Sequence, residues 1–261
     1  MNRIPLALRP FQFLYSIYAF ILFVAIMLLI FPFVLLSTFF GRIKGGNLTI
    51  GLCRVWADLW FPLIFIFHKK IFEAPHDKNR PFIFVSNHIS YIDAAIIPKA
   101  IRQPLRPLGK VEMTRVPIFG TIYRNAIVTV DRSSATNRAN SVRLLKSILS
   151  KGISVLVFPE GTFNLGNRPL KDFYDGAFRI AIETKTPVKP VLFLDSYRRM
   201  PYESIFHMTP GRSRILYLEE IAVTSYTLAD TSKLKEHVFA IMEKKMIEYD
   251  GAWKKSSTSE S

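Results

Sequence analysis

The first feature of the hydrophobic pattern is a long apolar run near the start of the chain. No charged residue occurs between Arg9 and Arg42, and a membrane-spanning helix needs about 20 apolar residues. The apolar region of a cleaved signal peptide is shorter, about 7–15 residues. The run therefore predicts a tilted single span, or a helix that breaks near Pro32 and enters and leaves the same membrane face. The buried core helix of a soluble protein is the remaining alternative.

A second apolar stretch, Val55 to Phe72, is interrupted by Asp58 and carries Trp56 and Trp60. Tryptophans are enriched at membrane–water interfaces. The stretch predicts an amphipathic or partly immersed helix, and an ordinary buried helix fits it equally well. Residues 1–72 are thus predicted to form a membrane-anchoring or membrane-embedded helical segment.

From Pro81 onward, short β-rich runs alternate with helical patterns. The predicted strands are "PFIFVSN", "NAIVTVDR", "ISVLVFPEG", "PVKPVLFLD" and "SRILYLEEIAV". The predicted helices are "IDAAIIPKAI", "TNRANSVRLLKSILSKG", "GAFRIAIETK" and "TSKLKEHVFAIMEKKMIEYD". Strands that alternate with helices favour an α/β fold with a largely parallel central sheet flanked by helices. We predict this α/β domain over residues 73–250 and a polar, disordered tail over residues 251–261.

The charge balance indicates an anionic partner. Lysine and arginine number 35 against 20 acidic residues, a formal net charge of +15, while 49% of the residues are hydrophobic. Nucleic-acid binders seldom combine such charge with such hydrophobicity, whereas a basic protein on an anionic membrane readily does. The composition therefore favours an anionic membrane surface and argues against nucleic acid.

Cysteine and histidine usage excludes several kinds of site. The single cysteine, Cys53, allows no intrachain disulfide, and the five histidines are too scattered to suggest metal-ligand spacing. No metal site is therefore predicted. We expect the α/β domain to lie in a reducing compartment, on the cytoplasmic face of the membrane.

The stretch "SNHISYID" places His88 and Asp93 five residues apart, directly after a predicted strand. Five residues along a continuous helix would leave the two side chains well off one face, so a contact requires a turn between them. Ser90 to Asp93 matches a capping box, with Ser90 as the N-cap. The helix-cap and catalytic-pair interpretations are compatible, because the cap supplies that turn.

Three further patterns carry candidate chemistry. "FPEGTF" places Glu160, Gly161 and Thr162 after a buried strand, where backbone amides beside a glycine can approach a ligand closely, although a plain strand-to-loop turn is equally typical. Arg132 ends "AIVTVDR" and suits bidentate phosphate binding, or is a solvated loop arginine. Lys110, in "LGKVEM", is a candidate for a second phosphate-binding charge.

Together these motifs resemble the glycerolipid acyltransferase family, in particular its lysophosphatidic acid acyltransferases. "NHISYID" resembles the family's N-H-x4-D motif, and "FPEGT" its third motif. "AIVTVDR" is similar to its second motif and "VKPVLF" to its fourth. All four occur in the family's order, and the resemblance covers roughly residues 75 to 215.

The resemblance implies a reaction and a role for each matching residue. A fatty acyl group would pass directly from acyl-CoA or acyl-carrier protein to the sn-2 hydroxyl of lysophosphatidic acid, giving phosphatidic acid in phospholipid biosynthesis. The acyl thioester would be a co-substrate, and no cofactor is implied. His88 would be the general base and Asp93 would orient it. The remaining implied roles are phosphate binding by Lys110 and Arg132 and shaping of the acceptor site by Glu160, Gly161 and Thr162.

The sequence departs from the family's third motif at one informative position. Phe163 stands where the family usually has arginine, so Arg168 and Lys171 become candidates to supply the missing charge. The second motif begins with Ala126 in place of glycine. Another lysolipid or glycerol 3-phosphate therefore stays open as acceptor, as does a non-enzymatic role in membrane lipid binding.

Overall fold

The computed structural model describes residues 5–130 and 135–255. Within them a seven-stranded sheet has the order β1-β7-β6-β2-β5-β3-β4. Neighbouring strands run parallel except β6 and β7, which are antiparallel. The strands are β1 Ile66–Phe72, β2 Ile83–Ser86, β3 Leu105–Lys110, β4 Val128–Val130, β5 Ser154–Val157, β6 Val188–Phe193 and β7 Gly211–Tyr217.

Helices cover both faces of this sheet. They are α1 Arg9–Thr38, α2 Gly46–Leu63, α3 Ile92–Ala100, α4 Phe119–Ala126, α5 Ala135–Leu149, α6 Gly176–Thr184, α7 Ser196–Arg199 and α8 Thr231–Glu248. On β2, Ile83 and Val85 face a core built with α5, α6 and α8, whereas Phe84 faces a core built with α1, α2 and α3. Successive strand residues point to opposite faces, so a strand covered on both sides is apolar throughout. The predicted largely parallel sheet flanked by helices is confirmed.

The predicted helix from Val55 to Phe72 is wrong in its second half. Helix α2 ends at Leu63, Phe65 adopts a left-handed conformation with φ 55°, and Ile66–Phe72 becomes strand β1. The run "IFHKKIF" is rich in aromatic and β-branched residues, which suit a strand, and all seven of its residues pair with β7. The predicted boundary between residues 1–72 and 73–250 stays a prediction. Strand β1 belongs to residues 1–72 but pairs within the sheet of the α/β domain.

The N-terminal apolar run forms a continuous helix, α1, that pairs antiparallel with α2. The helix passes through Pro32, so the predicted break there is wrong. Two indole groups of α2 donate to α1 carbonyl oxygens, Trp60 Nε1 to Ala19 O at 2.8 Å and Trp56 Nε1 to Phe23 O at 3.2 Å. Only 22% of the most apolar 18-residue window of α1 is buried, less than in a core helix, which is mostly buried.

Both ends of α1 are tied to the α/β domain. Near its start, the Ser16 hydroxyl oxygen accepts a hydrogen bond from the Met208 N–H at 3.1 Å. Just beyond its end, the buried Arg106 guanidinium on β3 donates to Ile43 O at 3.0 Å. These two contacts hold the helix beside the domain near its start and just after its end. Its outward face is apolar, with exposed Phe11, Leu14, Phe20, Ile21, Leu28, Leu29, Phe33 and Leu36, and the exposed Phe39 and Phe40 follow it.

Within the described residues, α1 is the one helix that is long and apolar enough to cross a membrane. At the other end of the chain, the predicted tail of residues 251–261 is described only as far as Lys255. There the Ala252 N–H donates to Leu194 O at 2.6 Å, and the Ala252 side chain is buried beside Ile89 and Tyr197.

The turn between α1 and α2 depends on Gly45. A Cβ atom at this position would lie 2.3 Å from Ser37 O, whereas one at Gly51, within α2, would meet nothing within 4 Å. We expect Gly45→Ala to lower the free energy of unfolding by about 1–3 kcal/mol through overpacking. Gly51→Ala, the matched control, should raise it by roughly 0.5–1 kcal/mol because alanine is the better helix former.

Denaturant unfolding in detergent measures both changes. A Gly45→Ala protein as stable as the wild type would contradict the close approach of the two helices at this turn.

Candidate active site

The candidate site lies where the central strands end. His88 follows β2, and the strands on either side of β2 are β5 and β6. Glu160 follows β5, which runs parallel to β2, so both residues reach the same sheet edge. Ligands of open α/β sheets bind beyond the carboxyl ends of the strands. The motif residues are therefore at the edge where such folds place their chemistry.

His88 and Asp93 form a hydrogen-bonded pair, with Nδ1 of the imidazole 3.0 Å from Oδ2 of the carboxylate. The same oxygen accepts the N–H groups of Ile89, at 2.8 Å, and Ser90, at 2.9 Å. Asp93 is fully buried, while 21% of the His88 side chain is exposed. Because the carboxylate accepts from Nδ1–H, Nε2 is the ring nitrogen left to accept a proton.

The predicted capping box is realised in altered form. Asp93 accepts from the Ser90 N–H as expected, but the Ser90 hydroxyl oxygen accepts from the Ile92 N–H, at 3.2 Å, one residue earlier than the motif requires. Helix α3 begins at Ile92. The turn before it does bring Asp93 to His88, so the helix cap and the side-chain pair coexist.

Aromatic side chains enclose the imidazole. The Phe158 ring stacks on His88 with centroids 4.0 Å apart and planes 10° apart. The Phe163 ring meets His88 edge-on at 4.4 Å and 72°, and Tyr91 packs against Phe163 at 4.8 Å. These contacts hold the plane of the imidazole. Sequence reasoning missed them, although Phe158 and Phe163 flank the "PEGT" segment.

Glu160 joins the backbone of His88 to a second loop. Its Oε1 accepts the His88 N–H at 2.8 Å, and its Oε2 accepts the Lys171 N–H at 3.0 Å. The side chain is fully buried. Both carboxyl oxygens are thus directed at main-chain amides, which makes Glu160 a positioning residue for His88.

The rest of the motif completes this turn. Gly161 has φ +72°, a left-handed conformation that favours glycine, and its N–H donates to Phe158 O at 3.0 Å. Thr162 is exposed, and its hydroxyl accepts Lys171 Nζ at 2.8 Å. Asn87, another residue whose function sequence reasoning did not find, exchanges two hydrogen bonds with the backbone of Phe193. The sequence feature that could have pointed to Asn87 is its position directly before His88 in the "NHISYID" motif.

Of the two predicted phosphate-binding residues, the structure describes only Lys110. Lys110 is exposed at the end of β3, and β5 separates β3 from β2. Strands lie about 4.8 Å apart, so Lys110 stands about 10 Å to the side of His88 along the sheet. Arg132 lies outside the described residues. The structure therefore brings together His88, Asp93 and residues 160–162, while phosphate binding by Lys110 stays a prediction.

No group of three or more histidine, cysteine, aspartate or glutamate side chains in the described part of the chain could hold a metal ion.

Comparison with known proteins finds similarity to one family and to several named enzymes. Residues 68–194 match a family model described as Acyltransferase. The 1-acyl-sn-glycerol-3-phosphate acyltransferase of Haemophilus influenzae is 26% identical over 220 residues, which cover 82% of this chain and 89% of that protein. The Escherichia coli protein of the same name is 27% identical over 170 residues, covering 64% and 68%.

A solved structure shows the same fold. The crystal structure of the 1-acyl-sn-glycerophosphate (LPA) acyltransferase from Thermotoga maritima matches with a TM-score of 0.74 at 22% identity, over 95% of this chain and 100% of that one. Residues 68–194 are thus similar to the acyltransferase family, in agreement with the motif resemblance.

Ionisation of Glu160 makes the stability of the domain depend on pH. Both hydrogen bonds to Glu160 favour its ionised form, but burial outweighs them and raises the pKa of this carboxyl from 4.5 to about 8. The folded protein therefore keeps a proton that the unfolded chain releases between these values. The stabilisation from this group is complete below about pH 4.5 and is lost as the pH rises to about 8.

Glu160→Gln cannot ionise, so we expect its free energy of unfolding to fall less steeply than that of the wild type between about pH 5 and about pH 8. Denaturant unfolding at several pH values measures the two slopes. The exposed Glu112 offers a control, because Glu112→Gln should keep the wild-type slope. Identical slopes for wild type and Glu160→Gln would contradict the raised pKa.

Proposed function

We propose that this protein transfers a fatty acyl group from an acyl thioester to the sn-2 hydroxyl of lysophosphatidic acid. The product would be phosphatidic acid, a step in phospholipid biosynthesis. The observation that carries the proposal is the pair of His88 Nδ1 and Asp93 Oδ2 at 3.0 Å. The names of the H. influenzae and E. coli relatives support this acceptor.

In this mechanism His88 acts as general base. Nε2 takes the proton of the acceptor hydroxyl while the hydroxyl oxygen attacks the thioester carbonyl carbon. The tetrahedral intermediate then collapses, the C–S bond breaks, and the thiolate leaving group takes the proton from the imidazolium. An ester and a free thiol result, and His88 returns to its neutral form without an acyl-enzyme.

Asp93 supports both protonation states of the imidazole. Its carboxylate holds Nδ1–H in the tautomer that leaves Nε2 free, and stabilises the imidazolium that forms during attack. The two backbone N–H groups on the same carboxylate oxygen fix its position relative to His88. The phenylalanine stack at 4.0 Å limits rotation of the ring out of this geometry.

The donor in this proposal is acyl-CoA or acyl-carrier protein, since either presents the same thioester. The chemistry needs no further cofactor, because proton transfer and acyl transfer use only the histidine and the thiol leaving group.

We expect His88→Ala to lower kcat by roughly 10³-fold or more, since a positioned general base contributes about 10²–10⁴. Acyl transfer is measured in vesicles with palmitoyl-CoA and then acyl-carrier protein as donor, against a panel of lysolipids that includes lysophosphatidic acid. His237→Ala is the matched control, because His237 is an exposed residue of α8.

The outcomes separate the reaction from the acceptor. If wild type and His237→Ala acylate lysophosphatidic acid and His88→Ala does not, the result supports the base, the reaction and the acceptor together. Transfer only to another lysolipid keeps the chemistry and changes the acceptor. Equal rates in wild type and His88→Ala would rule out this mechanism, and no turnover with either donor would rule out the activity.

We further propose that the protein lies on the cytoplasmic face of a membrane with α1 in the plane of one leaflet. Helix α1 is about 45 Å long at 1.5 Å per residue, and the α/β domain is bonded to Ser16 near its start and to Ile43 just after its end. Crossing the bilayer would carry the charged domain into the hydrocarbon region, which is very costly. Its exposed apolar face instead suits the boundary between headgroups and acyl chains.

Cysteine labelling tests this placement. In a Cys53→Ser background, Leu8→Cys and Phe40→Cys mark exposed positions at the two ends of α1, and Leu228→Cys marks the domain. With sealed vesicles and a membrane-impermeant maleimide, we expect all three to react from the same side, because an in-plane helix exposes both of its ends there. Labelling of Leu8→Cys and Phe40→Cys from opposite sides would show a span.

A further inference from the structure

The loop after the "FPEGT" segment carries two cations, and the structure distinguishes them. Arg168 has acidic partners, with Nη1 3.3 Å from Asp172 Oδ1 and Nη2 3.6 Å from Glu243 Oε1. Lys171 is exposed and has no carboxylate within ion-pair distance among residues 5–130 and 135–255. Of these two side chains, Lys171 is the one whose charge is left for a ligand.

Lys171 is held at two points beside the candidate site. Its N–H donates to Glu160 Oε2 at 3.0 Å, and its Nζ donates to Thr162 Oγ1 at 2.8 Å. The other oxygen of the Glu160 carboxyl accepts the His88 N–H at 2.8 Å. One buried carboxyl therefore fixes the distance between the backbone of the base and the backbone of the lysine.

An apolar wall occupies the position beside Thr162. The Phe163 ring packs between His88 and Tyr91, with centroid distances of 4.4 Å and 4.8 Å. This residue offers no charge or hydrogen bond to an anion near the base. Among the described residues of this loop, Lys171 is the cation that a negatively charged acceptor with its hydroxyl at His88 Nε2 would meet beside the turn.

We propose that Lys171 is a specificity-determining residue that binds the phosphate monoester of the acceptor lipid. This inference rests on the proposed acyl transfer and names the group that recognises the charged end of the acceptor. An ammonium has three donors, and Thr162 uses one, so two remain for phosphate oxygens. The donor's coenzyme A carries phosphates too, and the experiment separates the two sources.

The test compares two acceptors with wild type, Lys171→Met, Lys171→Arg and Lys78→Met. Lysophosphatidic acid carries the phosphate, and a monoacylglycerol of the same chain lacks it. KM and kcat are measured for each acceptor and for the acyl-CoA donor. Lys78 is the control, because it is an exposed lysine before β2, at the opposite end of that strand from His88.

Lys171→Met should raise KM for lysophosphatidic acid about tenfold or more, since a charge-assisted hydrogen bond is lost. Its KM for monoacylglycerol and for the donor, and its kcat, should change little. Lys171→Arg should restore most of the affinity, and Lys78→Met should match the wild type. A rise confined to the donor KM would assign Lys171 to coenzyme A and overturn the proposal, as would an unchanged KM for both acceptors.

Binding of labelled lysophosphatidic acid in detergent micelles provides a readout that does not need turnover. Tighter binding to wild type than to Lys171→Met supports the phosphate contact even where acyl transfer fails, and equal binding overturns it. Wild type that binds lysophosphatidic acid without transfer from any donor would instead contradict the proposed function.

Discussion

The geometry of the site depends on one buried carboxylate oxygen that accepts three hydrogen bonds. Oδ2 of Asp93 takes the imidazole N–H of His88 and the N–H groups of Ile89 and Ser90. A buried carboxylate without such donors would be costly to ionise, so the turn and the side-chain pair stabilise each other. The five-residue spacing, which does not fit a continuous helix, becomes a contact because these backbone amides fold the chain around the carboxylate.

The sheet supplies the rigid frame for this turn. Strand β2 is central, flanked by β5 and β6, and its residues pack into a core on each face. The Asn87 side chain bonds the end of β2 to Phe193 at the end of β6. Glu160, in the loop after β5, accepts the N–H of His88. The backbone around His88 is therefore fixed by side-chain to main-chain hydrogen bonds on both sides, while Asp93 and the aromatic rings orient the imidazole.

Much of this arrangement could be predicted from local patterns. The β-rich runs, the helices between them and the His88–Asp93 contact depend on interactions close in sequence. Strand β1 was missed because its apolar residues continue those of α2, and pairing with β7, some 145 positions away, decides its structure. The hydrogen-bond partners of Glu160 could not be predicted from the sequence either, because the N–H groups that donate to it are 72 and 11 residues away. Whether α1 lies beside the domain depends on the Met208 N–H that donates to Ser16 and on the Arg106 guanidinium that donates to Ile43 O, and neither bond has a sequence signature.

The packing of α1 against α2 determines the environment of two tryptophan side chains. Two of the three tryptophans of the protein, Trp56 and Trp60, stack on each other with centroids 5.0 Å apart and are both buried against Phe23. Their indole groups end in hydrogen bonds to the partner helix, so separation of the two helices would move both chromophores into water. The intrinsic tryptophan fluorescence of the protein therefore reports, without any added dye, whether α1 and α2 are packed together.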